Sequence, residues 1–122
     1  MAKILIVEDD ESLNSIYTEY LSEETDFEID SVKDGKKALN KLKEGGYDVV
    51  VMDLVMPEMD GLEVLEKLKD IKPKKKNGAI ILLTNLPNGN TIEKAKKLGV
   101  KEYLIKADIY PDDLLRTIKK YL

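Results

Sequence analysis

Six residues could do chemistry together if the chain brought them to one place: Glu8, Asp9, Asp10, Asp53, Thr84 and Lys106. They follow short apolar runs: Ile4-Leu5-Ile6-Val7 precedes Glu8-Asp9-Asp10, Val49-Val50-Val51-Met52 precedes Asp53, Leu82-Leu83 precedes Thr84, and Leu104-Ile105 precedes Lys106. In an open parallel sheet ligands bind beyond the carboxyl ends of the strands, so residues in these positions share one edge. Carboxylates that close repel by about 4 kcal/mol at 4 Å in an effective dielectric near 20, and need a cation among them. Mg2+ (or Mn2+) suits the set, being hard, oxygen-seeking and commonly held by one or two carboxylates plus a phosphate oxygen. On that reading Asp9 and Asp53 ligate directly and Glu8 helps directly or through water. Asp53 attacks phosphorus in line to form an acyl phosphate, Lys106 neutralises a phosphoryl oxygen, and Thr84 reaches another after transfer.

Each residue also has a plainer role open to it. Asp10 can cap the helix that follows it, and Thr84 can end a strand. Lys106 can be a solvated loop lysine. Asp53 is harder to dismiss, because it closes a strand apolar enough to lie inside the sheet.

The elements that must position these groups follow from periodicity. Five strands are expected, over 3–7, 27–32, 48–52, 79–83 and 102–105, alternating with five helices. Leu13, Ile16, Tyr17, Tyr20 and Leu21 form the stripe of the first helix; Ala38, Leu39 and Leu42 that of the second; Leu62, Leu65 and Leu68 the third; Ile92, Ala95 and Leu98 the fourth; Leu114, Leu115, Ile118, Tyr121 and Leu122 the last. Gly45-Gly46 and Gly99 suit helix ends, and Pro111 suits a first turn. The stretch from Lys72 to Gly78 reads as a solvated loop.

Composition narrows the function. The 122 residues fit one domain, and no second domain is expected beside it. Lys and Arg number 20 against 24 Asp and Glu, and a net charge of -4 offers no general attraction to nucleic acid. No cysteine is present for a disulfide or a thiolate metal site. No histidine is present either, so any phosphohistidine must belong to another molecule. No apolar run is long enough to span a membrane, and the expected location is cytoplasmic.

Taken together, Ile-Leu-Ile-Val-Glu8-Asp9-Asp10, Val-Val-Val-Met-Asp53-Leu-Val-Met56-Pro57-Glu-Met-Asp60-Gly61, Leu-Leu-Thr84 and Glu-Tyr103-Leu-Ile-Lys106 resemble the response-regulator receiver domains of two-component signalling. The resemblance runs from Lys3 to Leu122. It implies an α/β fold of the doubly wound, flavodoxin-like (βα)5 kind, with a five-stranded parallel sheet in the order 2-1-3-4-5. It also implies a metal-binding pair in Glu8 and Asp9, a phospho-acceptor in Asp53, a further metal ligand in the backbone carbonyl of Val55, phosphoryl contacts from Thr84 and Lys106, and a switch aromatic in Tyr103. The alternative for Tyr103 is an edge aromatic with no switching role.

The implied partners are a histidine kinase or histidine phosphotransfer protein as donor and a downstream protein target, met by the surface of the fourth helix, fifth strand and fifth helix. The implied chemistry is confined to the domain's own phosphorylation and dephosphorylation. Two positions depart from the usual pattern: Ala107 follows Lys106 where proline is common, so a trans bond is expected, and Asn85 follows Thr84 where a small residue is common. Apolar Val55 and Leu86 suggest a long-lived phosphorylated state, which Leu86→Glu would test. The competing readings are an unphosphorylated scaffold, an aspartyl phosphatase and a flavin- or nucleotide-binding module. The last would place phosphate against the acidic trio after the first strand, where it is repelled.

Overall fold

Short runs of Ile and Val without alternation suit a parallel sheet covered by helices on each side. The computed structural model of the protein describes residues 1–85 and 88–122 and has that architecture. The strands are β1 (Lys3–Val7), β2 (Glu28–Val32), β3 (Val49–Asp53), β4 (Ala79–Thr84) and β5 (Val100–Ile105). Between and after them run α1 (Glu11–Glu24), α2 (Gly35–Glu44), α3 (Gly61–Lys69), α4 (Gly89–Lys97) and α5 (Pro111–Lys119), with a short 3-10 turn, η1, over Lys106–Asp108. All pairings are parallel and the strand order is β2-β1-β3-β4-β5, as expected.

Alternation along the central strands divides the apolar interior in two. Leu5, Val7, Val50, Met52 and Leu82 pack with Ala38, Leu42, Val64, Leu65 and Ala95 from α2, α3 and α4. Ile4, Ile6, Val49, Val51, Ile81 and Leu83 face the other way, against Tyr17 and Leu21 of α1 and Leu114, Leu115 and Ile118 of α5. The layering holds the strand ends level at the edge where the reactive residues gather.

Some boundaries differ from expectation. β5 begins at Val100 rather than Glu102, because Val100 is buried and pairs with Ile80 across a register shift. In α1 the stripe is displaced: Ile16 is 50% exposed, and buried Asn14 takes its place beside Tyr17 and Leu21. In α3, Val64 is buried with Leu65, while Leu62 and Leu68 are only partly buried.

The caps agree with the reading: Asp10 accepts from the Leu13 amide at 2.9 Å, Gly45 has φ 75°, Gly99 has φ 101°, and Pro111 opens α5. The Lys72–Gly78 stretch is a loop zipped to the end of α2, with the Lys75 amide donating to the Glu44 carbonyl and Asn77 to the Leu42 carbonyl.

Candidate functional site

β1 and β3 are adjacent in the sheet, so their carboxyl ends deliver Glu8 and Asp53 side by side. Both are buried, Glu8 completely and Asp53 to 3% exposure. Asp9, next along the chain, lies more in the open, and one carboxylate oxygen from each of the three falls within 4.8 Å of the others. Asp10 instead turns away to cap α1.

Lys106 closes the cluster from the end of β5. Its ammonium lies 2.7 Å from Glu8 Oε1 and donates to Asp53 Oδ2 at 2.9 Å. The remaining oxygens are held by backbone: the Asp10 amide donates to Glu8 Oε2 at 3.1 Å, and the Val55 amide to Asp53 Oδ1 at 3.2 Å. Each buried carboxylate thus has one oxygen fixed by an amide and one facing the lysine. The Lys106–Ala107 bond is trans, since no cis peptide occurs among the described residues.

Charge balance leaves the cluster short of positive charge, with two buried carboxylates and Asp9 against one ammonium. Burial pushes the Asp53 carboxyl up to about 7, against the pull of Lys106. Burial opposes the charge on Lys106 too, but its contacts with Glu8 and Asp53 outweigh that and raise its pKa. Among the described residues Glu8 Oε1 is buried without a well-formed hydrogen bond, and Lys106 faces it as an ion pair. An oxygen-only donor set with an undersatisfied buried carboxylate fits a hard divalent cation such as Mg2+.

The other expected residues are placed as follows. Thr84 ends β4, fully buried, one strand over from Asp53. Tyr103 lies on β5 and is 37% exposed. Val55 is 65% exposed beside Asp53, while Met56 is buried in the core under α2 and α3, with Met59 packed against it. Leu86 lies outside the described residues.

Two contributors escape a reading of residue types. Asn14 donates its side-chain amide to the carbonyls of Glu8 at 3.0 Å and Val32 at 3.3 Å, fixing the backbone from which Glu8 projects. Its signal is a polar residue inside an apolar helical stripe. Glu58 has φ 66°, a left-handed turn between Asp53 and α3, and nothing in its residue type announces that.

The response regulator receiver domain model matches residues 4–119. The chain belongs to the response regulator receiver family. Receiver relatives include the response regulator protein VraR of Staphylococcus saprophyticus, 33% identical over 119 residues that cover 97% of this chain and 55% of VraR. The chain therefore spans about half the length of that relative. Among solved receivers, the chemotaxis protein CheY4 of Vibrio cholerae matches with TM-score 0.83 and 27% identity, covering 100% of this chain and 99% of that one. The response regulator TrrA of Thermotoga maritima, solved in complex with Mg2+ and BeF, matches with TM-score 0.78 and 34% identity over 100% of both chains. As a receiver, the protein is a two-component signalling module. No helix among the described residues is long and apolar enough to cross a membrane.

Proposed function

We propose that this receiver takes a phosphoryl group onto Asp53 in a Mg2+-dependent reaction and that the modification alters its α4-β5-α5 surface for a protein partner. The observation that carries the reading is the convergence of Glu8, Asp9 and Asp53 within 4.8 Å, closed by Lys106 at 2.7 and 2.9 Å. The proposed donor is a phosphohistidine on a histidine kinase or phosphotransfer protein, necessarily another molecule because this chain has no histidine. A carboxylate oxygen of Asp53 forms a bond to phosphorus as the phosphorus–nitrogen bond breaks, and the imidazole leaves with that electron pair.

Glu8, Asp9, Asp53 and the Val55 carbonyl would hold the metal, which when bound would supply charge neutralisation and favour the ionised form of Asp53. Lys106, already on Asp53 Oδ2, moves with little displacement onto a phosphoryl oxygen. Thr84 provides a hydroxyl for another oxygen, and Tyr103 follows it inward from its exposed position. The phosphoryl group shifts the balance between the two surfaces only as far as its interactions differ between them.

The test is labelling with acetyl phosphate, with Mg2+ or with a chelator, followed by intact mass and peptide mapping. One phosphoryl group on Asp53, only with Mg2+ and absent from Asp53→Asn, is the expected outcome. Metal-independent labelling, or label at another residue, would refute the proposal.

A further inference from the structure

The last register pair between β4 and β5 is Thr84 with Ile105, and beyond it the backbone ladder ends. The next contact between the two segments is made by a side chain: the Ala107 amide donates to Asn85 Oδ1 at 2.9 Å. The 3-10 turn η1 starts here, and its N-cap, Ile105, offers no side-chain acceptor. An amide in the first turn of a helix lacks an intrahelical partner, and Asn85 supplies one from the neighbouring strand. Lys106 is thereby bracketed, with Ile105 fixed by the ladder on one side and Ala107 fixed by Asn85 on the other. The bond needs both residues as they stand, because a proline at position 107 would have no N–H to donate.

We infer that Asn85 is a positioning residue for Lys106. Its side chain clamps the turn that carries the lysine, so that the ammonium stays on Glu8 and Asp53 and is aligned for the incoming phosphoryl group. Asn85 also follows Thr84 directly, so the same bond ties the chain segment beyond Thr84 to the segment bearing Lys106. Asn85 itself is exposed and its side chain accepts from the Ala107 amide, so it acts through the turn that carries Lys106.

The role in transfer rests on the proposed acceptor function, while the clamp itself does not. Asn85→Ala is expected to speed hydrogen exchange at the Ala107 amide and to slow acetyl phosphate labelling at saturating Mg2+ by about fivefold, the equivalent of one ordinary hydrogen bond. The concentration of Mg2+ giving half-maximal rate is expected to stay within about twofold, since no ligand is touched. Asn85→Asp keeps the acceptor oxygen and is expected to restore both amide protection and rate. In a Lys106→Met background Asn85→Ala is expected to cost almost nothing further.

The same single and double variants unfolded in urea without Mg2+ give the coupling between Asn85 and Lys106 with no labelling involved. If the wild type takes no label, the acceptor reading falls and that coupling decides the clamp alone. Unchanged Ala107 exchange in Asn85→Ala, or an equal effect of that substitution with and without Lys106, overturns the inference.

Discussion

Among the described residues Lys106 is the cation set between two buried carboxylates, and removing it leaves Glu8 and Asp53 facing each other. Breaking a buried ion pair from one side costs roughly 3–5 kcal/mol, so Lys106→Met is expected to lower stability by about that much in chelator. Mg2+ is expected to restore most of it, as urea midpoints with and without the ion will show. Asp53 gives a second expectation, with a definite sign. Its carboxyl titrates near 7 when folded against an ordinary value of 3.8, so between those values the folded state holds a proton that the unfolded chain has lost. Stability of the metal-free protein should then fall as pH rises from about 4 to about 7, and Asp53→Asn should flatten that decline. Of these residues, the sequence makes the gathering of Glu8, Asp9, Asp53 and Lys106 legible, because each ends or follows an apolar run and parallel strands align such ends. It does not reveal which oxygens the amides of Asp10 and Val55 hold, because backbone donors have no residue type.

At the scale of elements, α3 comes unusually close to the strand that carries Asp53. A Cβ on Gly61 would sit 2.7 Å from the Asp53 carbonyl oxygen and 3.1 Å from Leu54 Cα, which is why the helix starts on glycine. Gly61→Ala is expected to cost about 1–3 kcal/mol by overpacking and to slow labelling by displacing Asp53, measurable by urea unfolding and acetyl phosphate kinetics on the same preparation. Gly61 belongs to the motif that carries the resemblance, but the backbone it makes room for is not legible there. Most of each helical stripe is legible, but Ile16 in α1 is exposed and Leu122 lies beyond Lys119, the end of α5, and is exposed too. Ile16 and Asn14 exchanged places in α1 because two backbone carbonyls, of Glu8 and Val32, need a buried donor that an isoleucine cannot provide. Asn85 and Ala107 were visible as departures from a pattern, yet only the fold shows that they meet.

For the whole molecule, the alternation of strands and helices follows from periodicity, whereas the order β2-β1-β3-β4-β5 came from resemblance, since spacing alone does not choose among parallel arrangements. A cation bound only by the native arrangement stabilises everything that arrangement includes. Mg2+ at a hundredfold excess over its dissociation constant should add about 2.7 kcal/mol, seen as a rise in Tm that Asp9→Asn or Asp53→Asn reduces or abolishes. The two rims of the sheet lead further. β2 ends one side with Glu28, Asp30 and Ser31, and β5 ends the other with Lys101 and Glu102. Ionic side chains along outer strands discourage neighbouring copies from adding on edge to edge. A hydrogen-bond ladder shared between two copies of this chain is therefore disfavoured at either rim of the sheet.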